Sequence, residues 1–140
     1  MIVLDTNVVS ELMRDAPAES VRRWARTVPS TQRYLTATSV AELTYGAARL
    51  PTGRRGDTLE RRVGATVNED FAGQVLPFDV DAATRFGPLV AARDRLGRPI
   101  ETADAQIAAI CLHHGAALAT RNTRDFDGLG LTLINPWEEG

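Results

Sequence analysis

Short aliphatic and β-branched runs alternate with helical stripes along the whole chain, an alternation that restricts it to a parallel sheet covered on both faces. Ile2 to Leu4 stops at Asp5-Thr6-Asn7, a turn-like cluster able to cap the helix suggested by Val8, Val9, Leu12 and Met13. Pro17 stands where a first helical residue is tolerated, Val21, Trp24, Ala25 and Val28 give a second apolar stripe, and Pro29 closes it. Tyr34 to Thr38 predicts a strand, and Ser39 begins a helix through Val40, Leu43, Ala47 and Leu50. Pro51 to Gly56 reads as a loop, followed by a basic helix from about Thr58 to Phe71. Val75, Leu76 and Phe78 predict a third strand, Val80 to Leu96 a long helix with Gly87-Pro88 as a break, and Ala103 to His113 a helix closed by Gly115. Ala117 to Thr120 and Leu131 to Ile134 complete the sheet around a polar loop from Arg121 to Asp127. The expectation is a single α/β domain over residues 1–140, with a central parallel sheet of roughly four to five short strands and helices on both faces.

Composition removes several chemistries from such a sheet. All 16 basic residues are arginine. Without lysine, a P-loop, a Schiff-base enzyme, or an aspartate phosphatase or receiver that relies on a neighbouring lysine cannot operate in its usual form. Cys111 is the single cysteine, which excludes an intrachain disulfide and a cysteine-based zinc site; within AQIAAICL it reads as a core side chain rather than a nucleophile. No segment approaches the roughly 20 apolar residues of a membrane span, and MIVLDTN lacks the basic start of a signal peptide, so a cytoplasmic setting is expected. The net charge of -2 is unevenly spread: residues 1–68 carry 10 arginines against 7 acids, whereas residues 69–140 carry 6 against 11. One face is thus suited to an anion and another to a cation.

In a parallel α/β sheet, binding groups collect beyond the carboxyl ends of the strands. Asp5, Glu42, Asp104 and the stretch from Asn122 to Asp125 all fall at such positions. Each also has a purely structural explanation. Asp5 or Thr6 can be an N-cap, Ser39-Val40-Ala41-Glu42 matches a capping box, Asp104 favours a helix start, and Asn122 or Asp125 suits a turn. Together, several carboxylates at one end of one sheet repel each other unless a cation is present. Oxygen ligands without cysteine favour a hard ion, Mg²⁺ or Mn²⁺, and the chemistry that goes with it is phosphoryl-ester cleavage.

The segments MIVLDTNVVSEL, TATSVAELTYGA, ETADAQIAAIC and ALATRNTRDF, with the ending LTLINPWEE, resemble in order and spacing the signature blocks of PIN-domain ribonucleases, most of all the VapC toxins and the similar FitB proteins. The resemblance implies a PIN fold and an Mg²⁺-dependent endoribonuclease toxin of a type II toxin–antitoxin module. Its implied partners are RNA, a cognate VapB-type antitoxin, a second copy of the chain and, only through the antitoxin, operator DNA. Asp5 and Asp104 match the family's metal-binding aspartates, and Glu42 the third acid, which orients water on the metal or binds the metal directly. The fourth acidic position falls at Asn122 or Asp125; Asn122 adds no charge, so a second ion there would bind more weakly. Thr6 and Thr120 match accompanying hydroxyls.

Arg49, Arg54, Arg55, Arg61 and Arg62 against Asp57 and Glu60 leave +3 over residues 49–62, which suits either a track for RNA backbone or a solvated helix face. His113-His114 fits a helix C-terminus better than a metal site, and Trp24 and Trp137 read as core or interface. A PIN-fold module that binds RNA or a partner without cutting is the alternative function, kept open by Asn122.

Overall fold

The computed structural model describes residues 1–138; Glu139, at the end of the LTLINPWEE match, lies outside them. Five parallel strands, β1 (Ile2–Leu4), β2 (Arg33–Thr36), β3 (Val75–Leu76), β4 (Ala117–Ala119) and β5 (Leu133–Ile134), form one sheet in the order β3-β2-β1-β4-β5. The helices are α1 (Thr6–Leu12), α2 (Glu19–Thr27), α3 (Ala37–Ala48), α4 (Arg54–Ala65), α5 (Val80–Arg95) and α6 (Thr102–His114).

Successive strand residues point to opposite faces, and each face has its own core. Leu4, Leu35 and Ala119 pack with Val8, Val9, Val21, Trp24, Leu43 and Val63 under α1 to α4. Val3, Leu76 and Leu118 pack with Leu89, Ile107, Ile110 and Phe126 under α5 and α6. Cys111 belongs to this second core, and burial, with Asp5's charge second, pushes its thiol up to about 12. A core role agrees with the sequence reading.

Boundaries shift where local chemistry decides them. Thr36 accepts the Ser39 N–H at 3.1 Å, so α3 starts at Ala37 and cuts β2 short of the predicted Thr38. Pro77 has no N–H for the ladder, which ends β3 at Leu76 instead of Phe78. Arg54 already opens α4, four residues before the expected start, and the predicted end of that helix is a π-helical turn over Thr66–Asp70. Pro88 does not break α5. Gly115, at φ 62°, closes α6 as predicted.

β1 lies between β2 and β4 in the middle of the sheet, so the chain leaves its carboxyl end where connections diverge to the two sides. Such a switch point forms a crevice without any special device. Asp5 stands at its mouth.

Candidate functional site

Asp5 extends the sheet by one bond, its N–H donating to the Ala119 carbonyl at 2.9 Å, and its extended backbone makes it the N-cap of α1. One carboxylate oxygen accepts the Thr6 N–H at 2.8 Å, and the other accepts the Thr120 hydroxyl at 2.8 Å with the Asn7 amide at 3.5 Å. Capping and placement at the crevice are therefore the same contact set, not competing explanations. Thr120 in turn accepts the Asn122 N–H at 3.0 Å, tying the loop after β4 to Asp5.

Glu42 is not part of a capping box. With Thr36 as the N-cap, Glu42 falls in the second turn of α3, past the free backbone donors of the first. Its Oε1 instead accepts the Thr6 hydroxyl at 2.6 Å, and the same hydroxyl lies 3.0 Å from Ser39 Oγ. Thr6 thus joins the start of α1 to α3 and ties Glu42 to the residue beside Asp5.

Asp104 enters from the other face of the sheet, in the first turn of α6. Burial pushes its carboxyl up from 3.8 to about 6, with further increments from the charges of Asp5, Asp125, Glu42 and Glu101. Asp5 is also raised, first by burial and then by Glu42 and Asp125, against the lowering effect of its bonds from Thr120 and Thr6. Asp5, Glu42, Asp104 and Asp125 consequently share one electrostatic field, although 37, 62 and 21 positions separate them along the chain. Asn122 contributes its backbone to the turn Thr123–Phe126, while Asp125 is the residue of that stretch whose charge reaches both aspartates.

Three supporting contacts had no signature in the sequence. Arg93, 4% exposed, donates to the carbonyls of Arg98 and Asp125 at 2.8 Å each, and to that of Asp127 at 3.4 Å, holding the Asp125 loop from α5. Thr38 donates to Gln106 Oε1 at 3.0 Å, linking α3 to α6 next to Asp104. Ser39 supports Thr6 as described above. A buried arginine in AARDRLG looks like any solvated helical arginine until its partners fold around it. Trp24 lies in the core as expected, and Trp137 packs at the core's edge beneath the Arg121 guanidinium, 4.8 Å from the ring centroid.

An all-oxygen set of mutually repelling carboxylates suits a hard divalent cation, whose charge would relieve the repulsion that raises Asp104. A second candidate group lies away from these residues. Asp79, Asp81 and His113 bring ligand atoms within 4.8 Å of one another and could hold a metal ion. His113 is nine residues after Asp104 on α6, about 13 Å along the helix axis. No third ligand lies close to His113-His114 in sequence; the pairing of α5 with α6 brings Asp79 and Asp81 to His113 from the far side of a loop.

The PIN domain family model matches residues 2–130, which spans β1 to the loop before β5 and includes every acid of the crevice. The chain belongs to the PIN-domain family. This PIN domain is 44% identical over 138 residues to the VapC ribonuclease Y4jK of Sinorhizobium fredii, covering 99% of both chains. It is 37% identical over 139 residues to the toxin FitB of Neisseria gonorrhoeae, covering 99% of this chain and 100% of FitB. A solved structure of FitAB bound to an IR36 DNA fragment superimposes with a TM-score of 0.92 at 36% identity, covering 100% of this chain and 98% of the other. The expected fold class is thereby met: an α/β PIN domain with a five-stranded parallel sheet and six helices. Among the described residues, no helix is long and apolar enough to cross a membrane.

Proposed function

We propose that this PIN domain is the toxin of a type II toxin–antitoxin module and hydrolyses RNA phosphodiester bonds at the crevice beyond β1. The observation that carries the proposal is the shared field of Asp5, Glu42, Asp104 and Asp125, with Asp5 and Glu42 each fixed by a short bond involving Thr6. Similarity to a VapC ribonuclease and to FitB supports it.

Asp5 and Asp104 would hold the metal, Mg²⁺ or Mn²⁺, with Asp125 as the further acid in preference to Asn122. When bound, the ion neutralises charge growing on the phosphate and makes an attacking water more acidic. Glu42, exposed and pinned by Thr6, orients that water and accepts its proton. The water oxygen forms a bond to phosphorus as the bond from phosphorus to the bridging oxygen breaks, and the leaving oxygen takes a proton from solvent. Thr120 and the Thr6 N–H keep the Asp5 carboxylate in one orientation throughout.

The toxin would work in the cytoplasm and be neutralised by a VapB-type antitoxin, reaching operator DNA only as part of that complex. The chain would also pair with a second copy of itself. The test is cleavage of end-labelled RNA by the wild-type protein with Mg²⁺, compared with EDTA and with Asp5→Asn. Cleavage should need the metal and disappear in the variant while circular dichroism is unchanged. Wild-type cleavage by folded Asp5→Asn in EDTA would refute the proposal. Intact RNA with every folded protein, together with no Mg²⁺ affinity at millimolar concentration, would instead identify a non-cleaving binding module.

A further inference from the structure

A groove of about 770 Å³ runs from Thr6 and Glu42 between α3 and α4 and is lined by Arg14, Arg49, Arg54, Arg55 and Arg62. Two of these arginines are already engaged. Arg14 faces Glu11 at 3.4 Å, and Arg62 binds Asp15 and donates to the Met13 carbonyl at 3.2 Å. The side chains of Arg49, Arg54 and Arg55 are exposed and make no hydrogen bond or ion pair among the described residues.

Their placement is unfavourable for folding alone. Arg54 and Arg55 occupy the first turn of α4, at the positive end of the helix dipole, and the preceding Gly53 offers no side-chain cap. Arg49 follows the last residue of α3 and, seven positions after Glu42, lies on the same stripe of that helix. Positive charge is thus concentrated along a groove whose lining reaches Thr6 and Glu42, the one crevice acid on its wall. The complementary occupant is a polyanion lying along α3 and α4, with one of its phosphates brought to Glu42.

We propose that Arg49, Arg54 and Arg55 form the track that grips the sugar–phosphate backbone of single-stranded RNA on one side of the scissile bond. The inference rests on the ribonuclease reading above. Guanidinium groups suit phosphate oxygens, and a flexible single strand can follow a groove of this volume. The track supplies affinity and register rather than sequence choice.

The test uses Asp5→Asn protein, so that RNA stays intact, and a fluorescein-labelled 12-nucleotide single-stranded RNA followed by anisotropy from 50 to 300 mM KCl. Each replacement among Arg49→Gln, Arg54→Gln and Arg55→Gln should reduce the magnitude of the slope of log K against log salt by about 0.7, and the triple variant by about 2. Arg85→Gln, on the exposed side of α5, should leave the slope unchanged. In the Asp5 wild-type background, the triple variant should raise KM with kcat nearly constant. A folded triple variant that keeps the full slope overturns the track, and so does one that keeps the RNA slope while losing affinity for a polyglutamate peptide, which would make the groove an acidic-peptide site. Wild-type cleavage with an unchanged slope removes the track alone. Absence of both RNA binding and cleavage in every protein removes the ribonuclease reading as well.

Discussion

Asp104→Asn is expected to stabilise the metal-free protein at neutral pH. Its carboxyl is raised from 3.8 to about 6 by burial and by Asp5, Asp125, Glu42 and Glu101, so the folded state holds that proton more tightly than the unfolded chain. Below about pH 4 the group is protonated in both states and costs nothing; above about pH 6 it is ionised in both, and the folded state carries the full penalty. Stability from this group is therefore lost as pH rises between these limits. A shift of about 2 units corresponds to about 3 kcal/mol, and because the Asp104 side chain is only partly buried, screening by solvent reduces this to about 1–2 kcal/mol. Asparagine keeps the shape of the protonated acid without the charge. In EDTA, urea unfolding of Asp104→Asn at pH 7.5 should show a midpoint higher than wild type by about 0.5–1 M, and the difference should close towards pH 4. Mg²⁺ should then raise the wild-type midpoint much more than that of the variant. A variant less stable than wild type at pH 7.5, or a difference that does not change with pH, would refute the electrostatic reasoning.

Arg93→Met should lower stability by about 3 kcal/mol, because it leaves the carbonyls of Arg98, Asp125 and Asp127 without their buried donor; hydrogen exchange should speed up first in residues 122–127. Thr120→Val removes the hydroxyl that binds Asp5 at 2.8 Å, and should raise the Asp5 carboxyl further and move the acid limb of the RNA-cleavage pH profile upward. Cys111, whose thiol is pushed up to about 12, should resist alkylation in the native protein and react quantitatively in denaturant, as read by mass spectrometry.

The alternation of strands and helices was legible because period-2 and period-3.6 patterns are local. The acids at strand ends were legible for the same reason: Asp5 directly follows Ile2-Val3-Leu4, and Asp104 opens a helix. What failed depended on a choice between neighbouring caps or on contacts distant in sequence. Thr36 and Ser39 are both good N-cap residues; the chain uses Thr36, and this one choice turns Glu42 from a cap into a partner of Thr6. Arg93, the Thr38–Gln106 bond and the grouping of Asp79 and Asp81 with His113 each require two elements to pack first, and no local pattern encodes that.

The bond between Thr120 and Asp5 closes a loop of 115 positions, from just after the first strand to just after the fourth. During synthesis, Asp5 is made more than 100 residues before the hydroxyl that orients it and the Asp125 charge that completes its surroundings. A ribosome that stalls or terminates before residue 120 therefore releases a chain whose early carboxylates have no fixed arrangement. Long-range closure of this kind makes folding slower. It also makes competence all-or-none, so that truncated products of translation do not carry a partial form of the site.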